Sequence, residues 1–177
     1  YDTIDVEACT DAGVLVVNQT GGNAEGVAEH AVGMILNLFK RIGECDHALR
    51  RGWNEPRVSL MGKDLLNKNV GIIGLGNTGG RVAEICKVAF NCNILAYDPY
   101  LSKETFINKH ARKTVLDILL SESDVVSVHI PLNKETNNMI NKDWFKKMKK
   151  GSYFVTTSRG SINNEDDLYN ILIEGHL

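Results

Sequence analysis

The chain has 177 residues, 43% of them hydrophobic, with 20 Lys plus Arg against 22 Asp plus Glu and a formal net charge of −2. That suits one packed domain, or one plus part of a second, and it is too apolar for a disordered tail. No strictly apolar run exceeds four residues (Val14–Val17 and Ile94–Tyr97), which excludes a membrane-spanning helix and a signal-peptide core. The near-neutral balance argues against a protein that grips nucleic acid by bulk charge. Cys9, Cys45, Cys86 and Cys92 are scattered, with no Cys-x-x-Cys pair and no His at metal spacing. Reduced thiols in a cytoplasmic protein, with no metal site, are therefore expected. The sequence opens without Met and stops at Gly175-His176-Leu177, just past a predicted helix, as a piece of a longer protein would.

In chain order, Ile4–Ala12 reads as a short helix closed by Gly13, and Val14–Asn18 as a buried strand. A loop, Gln19-Thr20-Gly21-Gly22, precedes a long helical stretch. From Ala24 to Arg50, apolar residues recur at Val27, Ala31, Ile35, Leu38, Ile42, Cys45 and Leu49, always three or four apart. One helix of that span would be roughly 40 Å long, more than a small core needs, so a role in joining domains or binding a partner subunit is expected. After a loop over Trp53–Met61, strands and helices alternate. Strands are predicted at Asn69–Ile73, Asn93–Tyr97, Asp124–Ile130 and Ser152–Thr156. Helices are predicted at Thr78–Phe90, Lys103–Asn108, Val115–Leu120, Asp143–Met148 and Asn163–Glu174. The rhythm predicts an α/β fold, a parallel sheet with helices on both faces.

Val70–Gly79 runs from a strand through Gly74-x-Gly76-x-x-Gly79 into a helix. Gly74 suits the tight turn, Gly76 the approach of a pyrophosphate to the backbone, and Gly79 close helix–strand packing. The phosphates would meet free N–H groups around Asn77 and Thr78. Glycine-rich turns are common, but here the next strand ends in Asp98, 19 residues beyond Gly79. An acid there accepts ribose hydroxyls and repels the extra phosphate of NADP, so NAD is the expected cofactor. His129 ends the third long strand, where it serves either a site or the structure. Arg159 follows the last strand, before Gly160, where its planar fork suits a carboxylate or an ordinary salt bridge. Lys146, Lys147, Lys149 and Lys150 read as a solvated helix end, not a nucleic-acid patch.

Five segments together resemble the D-isomer-specific 2-hydroxyacid dehydrogenases in order and spacing: Asn23–His30, Gly74–Gly79, Asp98-Pro99-Tyr100, Asp124–Leu132 with Thr136, and Thr156–Gly160. The resemblance covers essentially the whole chain. It implies a doubly wound Rossmann-type NAD-binding domain over 23–177, with the 24–50 helix as linker and homodimer contact. Residues 1–22 would be the tail of a substrate domain. It also implies oxidation of a D-2-hydroxy acid, or reduction of a 2-oxo acid, with Arg159 as the catalytic residue that binds the substrate carboxylate. By the same resemblance Gly74, Gly76, Asn77, Thr78 and Gly79 form the pyrophosphate turn, and Asp98 the ribose acid. His129, Ile130, Pro131, Thr136, Thr157 and Ser158 would line the cofactor cleft.

The family's general acid/base His and its supporting Glu would fall farther along the chain, and His176 comes too early to be that His. Two other readings stay open: a non-enzymatic NAD(H)-responsive protein of the corepressor type, and an unrelated Rossmann protein such as a methyltransferase. The second leaves Arg159 and Asn23–His30 unexplained.

Overall fold

A computed structural model describes residues 4–54 and 56–177. The first three residues of the predicted 1–22 tail and Glu55 of the 53–61 loop lie outside the described residues.

A five-stranded, all-parallel sheet forms the centre, in the order β3-β2-β1-β4-β5. Its strands are β1 (Asn69–Ile73), β2 (Asn93–Tyr97), β3 (Arg112–Lys113), β4 (Val125–Val128) and β5 (Tyr153–Thr156). Parallel strands are covered on both faces, which explains their nearly unbroken apolar character. Val70, Ile72, Ile94, Ala96, Val125 and Val155 face one layer of helices. That layer holds α2 (Ala24–Lys40), α4 (Asn77–Phe90) and α5 (Lys103–Asn108). Ile73, Leu95, Val126 and Val128 face the other, made of α6 (Leu116–Glu122), α7 (Lys142–Lys147) and α8 (Glu165–Ile173). The predicted two-faced α/β architecture is what the chain adopts.

Three sequence expectations need correction. Val14–Asn18 is not a strand: it follows helix α1 (Val6–Asp11), pairs with no described strand, and leaves Leu15 85% and Val17 78% exposed. A strand exists only by pairing, and a short apolar run cannot say whether a partner is within reach. The stretch Ala24–Arg50 is two helices, because Arg41 takes a left-handed φ of 54° between α2 and α3 (Ile42–Arg50). The bond that would continue the helix, Gly43 N–H to Phe39 C=O, is replaced at both ends. Gly43 N donates to Asn37 Oδ1 at 2.8 Å, and Phe39 O accepts from Lys63 N at 2.7 Å. Arg41 itself donates to Ser59 O at 2.8 Å and pairs with Glu44. Finally, the sheet has a fifth strand, β3, that the sequence does not signal, because an exposed Arg-Lys dipeptide carries no apolar pattern.

The basic run at the end of α7 is partly paired, Lys147 with Asp117 at 2.9 Å and Lys149 with Asp124 at 2.6 Å. Among the described residues, no helix is long and apolar enough to cross a membrane.

Helix α2 is fastened to the sheet by Phe39, which is 1% exposed and lies 4.8 Å, ring to ring, from Tyr153 of β5. Truncating it removes a large buried side chain and leaves a void. Phe39→Ala should therefore lower unfolding free energy by about 3–5 kcal/mol, read from the urea midpoint. A shift below 1 kcal/mol would show that α2 is not packed as described.

Candidate functional site

Because every strand is parallel, the ends of β1, β2, β4 and β5 meet at one edge of the sheet. Gly74 follows β1, Asp98 follows β2, His129 follows β4, and Thr157, Ser158 and Arg159 follow β5. The chain reverses its direction of winding at β1, whose neighbours are β2 and β4. Ligands of open α/β sheets bind at such a switch point.

The turn after β1 is fixed by sterics. Gly74 has φ +86°, and a Cβ there would sit 2.8 Å from the His129 carbonyl oxygen. A Cβ on Gly79 would lie 2.0 Å from the Gly74 oxygen, so only glycine lets α4 begin this close to the strand. Gly76, the residue before α4, is exposed, and a Cβ there would point into open space. No side chain caps α4, and its first turn holds no acid. The first amides of the helix, from Asn77 and Thr78, thus stand beside open space with no side-chain carboxylate in competition. A dinucleotide pyrophosphate fits this donor set. Asn77 also meets the 19–22 loop, since a Cβ on Gly21 would come 2.8 Å from its Nδ2.

Asp98 is half-buried at the head of the turn. Its Oδ2 accepts from Leu75 N and its Oδ1 from Tyr100 N, both at 3.0 Å. The carboxylate is thereby anchored next to the glycine turn. Opposite it, Thr136 Oγ1 donates to Pro131 O at 2.7 Å and accepts from Asn133 N at 2.8 Å, which shapes the loop after β4. Tyr100 donates to Glu135 at 3.2 Å and so links the loops after β2 and β4. The neighbouring carboxylate pushes the Tyr100 phenol pKa up.

His129 bridges β4 and β5. Its Nε2 is 2.9 Å from Ser127 Oγ and its Nδ1 3.3 Å from Thr157 Oγ1. Burial pushes its pKa from an ordinary 6.5 down to about 4, so the ring is neutral at physiological pH and is a hydrogen-bonding brace. Ile130 packs toward Gly74, while Pro131 is exposed. Ser158 Oγ donates to Val128 O at 3.0 Å, and Arg159 lies exposed with Nη1 3.3 Å from Ser158 O. Thr156 and Thr157 border an open depression of about 490 Å³ with Gly26, Val27, His30 and Met34, so the start of α2 forms one wall beside the site.

The predicted residues thus gather on one edge. His176 lies elsewhere: its Nε2 donates to the Met148 carbonyl oxygen at 3.0 Å, near the start of β5. Burial raises the Cys86 and Cys92 thiols to about 12 and about 11, which leaves both unreactive at neutral pH. Among the described residues no group of three or more His, Cys, Asp or Glu is placed to hold a metal ion.

Two features escaped the sequence. Lys109 Nζ donates to the carbonyls of Leu75 and Gly76 at 2.9 and 2.7 Å. Arg81 of α4 holds Glu25 of α2 with contacts of 2.7–3.0 Å, and this keeps the Glu25 carboxyl below its usual pKa range. Neither pairing has a local signal, because the partners are 33 to 56 residues apart.

A glycine turn, an anchored acid and an uncapped helix start at the switch point define a dinucleotide-binding α/β domain. Residues 32–177 match the family model described as D-isomer specific 2-hydroxyacid dehydrogenase, NAD binding domain. The chain belongs to that family. It is 42% identical over 174 residues to a D-3-phosphoglycerate dehydrogenase of Archaeoglobus fulgidus, covering 98% of this chain and 33% of that protein. It is 37% identical over 174 residues to a hydroxypyruvate reductase of Thermotoga maritima, covering 98% and 55%. A D-lactate dehydrogenase from Aquifex aeolicus, solved with NAD and lactic acid, superposes with a TM-score of 0.90 at 35% identity, covering 100% of this chain and 53% of that one. The chain therefore spans between a third and about half of these relatives.

The depressed pKa of His129 makes a pH prediction. Between pH 6.5 and about 4 the unfolded chain takes up a proton that the folded His129 refuses. Stability should fall across that window and level off below it, by at most about 3 kcal/mol from this residue. Urea midpoints at pH 7, 5.5 and 4.5 should fall less steeply in His129→Gln than in the parent. Equal slopes would refute it.

Proposed function

We propose that this chain is the NAD(H)-holding part of an oxidoreductase that interconverts a D-2-hydroxy acid and a 2-oxo acid. The observation that carries the reading is the meeting of the Gly74–Gly79 turn, Asp98 and Arg159 on one edge of a parallel sheet. Bound NAD(H) would supply or accept the hydride. The Asn77 and Thr78 amides would bind its phosphates, and Asp98 its adenosine ribose hydroxyls. Ile130, Pro131 and Thr136 would bound the cleft on the β4 side, and Thr157 and Ser158 on the β5 side. Neutral His129 would brace the two sides together.

Arg159 would hold the substrate carboxylate with its planar fork and draw electron density from the adjacent carbonyl. The names of the relatives, D-3-phosphoglycerate dehydrogenase, hydroxypyruvate reductase and D-lactate dehydrogenase, support this chemistry. No observation favours the corepressor reading. We assign residues 1–22 to a substrate domain and 23–177 to the NAD-binding unit.

We further propose a cytoplasmic homodimer formed through α2 and α3. An apolar groove of about 500 Å³ lined by Cys45, Leu49, Trp53, Val58 and Met61 lies along α3, with Val58 71% and Met61 72% exposed. A surface of that kind is normally covered.

NADH should bind more tightly than NADPH, and Asp98→Ala should narrow the gap by about tenfold, as expected for removing one like-charge contact with the extra phosphate. Equal affinity for the two cofactors in the unaltered chain would overturn the ribose role. In the full-length protein, Arg159→Ala should lower kcat/KM for a 2-oxo acid by roughly 10²–10³-fold. Retained activity would remove Arg159 from the mechanism.

A further inference from the structure

Lys109 follows α5 and precedes His110, whose φ of +55° turns the chain. Its ammonium reaches two consecutive carbonyls of the glycine turn, those of Leu75 and Gly76. A Cβ on Gly80 would lie 2.6 Å from Lys109 Nζ and 2.9 Å from its Cδ, so the lysine stem occupies the space this glycine leaves beside α4. The same Gly76 oxygen also accepts from Gly80 N at 3.0 Å, and Leu75 N donates to Asp98. The segment Leu75–Gly76 is therefore held at an N–H by a carboxylate and at both carbonyls by an ammonium.

We infer that Lys109 is a positioning residue for the phosphates of the dinucleotide, acting through the carbonyls of Leu75 and Gly76. In a planar trans peptide the C=O and the next N–H point in opposite directions. Carbonyls aimed at Lys109 therefore aim the Gly76 and Asn77 amides the other way, and two of the turn's donors are fixed in direction before any ligand arrives. The charge has a second effect. An ammonium beside the positive end of a helix works against the helix dipole and suits the opposite terminus. Its position at the start of α4 becomes favourable when an anion sits there, so Lys109 adds to the attraction for a pyrophosphate.

The inference rests on the NAD(H) reading of the turn, and the test separates the two. NADH and ADP-ribose are titrated by calorimetry, and adenosine by NMR, into the unaltered chain, Lys109→Met and Gly80→Ala. Lys109→Met should weaken NADH and ADP-ribose by a common factor of about ten, leave adenosine within twofold, and flatten the salt dependence of NADH binding. Gly80→Ala keeps the charge but displaces the ammonium from the carbonyls. It should weaken the same two ligands without lowering the thermal midpoint, because alanine favours the helix. Unchanged NADH affinity in both variants, or an equal loss for adenosine, would overturn the inference. Failure of the unaltered chain to bind NADH would overturn the cofactor reading itself, and this role for Lys109 with it.

Discussion

A Cβ on Gly79 would lie 2.0 Å from the Gly74 carbonyl oxygen, and that closeness governs the whole edge of the sheet. It lets α4 start directly at the end of β1 instead of after a longer loop. The unpaired amides of the helix then stand beside Asp98, which is hydrogen-bonded to the turn itself. A larger residue at position 79 would push the helix outward and separate phosphate donors from ribose acceptor. The site is thus set by a distance between backbones before any functional side chain is considered.

That placement depends on packing farther away. Helix α2 lies against α4 and β5, with Ala28, Ala31, Val32, Ile35 and Phe39 buried in the shared core. The small residues at its start allow close approach, and the Arg81–Glu25 pair joins the first turn of α2 to the second turn of α4. An exposed ion pair of this kind contributes little to stability, but it sits beside the phosphate end. Its effect is to keep α2, one wall of the depression next to Thr157, in register with the glycine turn. On the same face His129 performs a comparable function between β4 and β5, through two hydroxyls and without charge.

What the sequence reveals follows from the range of each determinant. β1 and β2 are legible to the residue, because a doubly covered strand must be apolar throughout and is bounded here by turn residues. The glycine turn is legible because its steric requirements are local. The break at Arg41 is not, since Asn37 and Lys63 decide it by taking over the two groups of one helical hydrogen bond. The apolar spacing continues through that break in the sequence, although α2 buries its apolar face in the core and α3 buries no residue. Val14–Asn18 misleads for the opposite reason: its composition is that of a strand, but composition contains nothing about a partner. Lys109 has no legible role at all, because its partners are backbone carbonyls 33 and 34 residues earlier.

Asp98 and Lys109 place opposite charges on the two sides of one short turn, and their partners keep those charges apart in effect. The carboxylate receives amide hydrogens and faces the end of β2; the ammonium gives its hydrogens to carbonyls on the side of α5. The two groups are bonded to the backbone and not to each other, so neither charge is neutralised by the pair. A negative group near β2 therefore disfavours an additional phosphate on the ribose, while a positive group behind the helix start favours the pyrophosphate. Selectivity and affinity for a dinucleotide then come from different residues. The backbone between them, Leu75–Gly76, is the common support: rigid because both charges hold it, and narrow because Gly74 and Gly79 allow it to be.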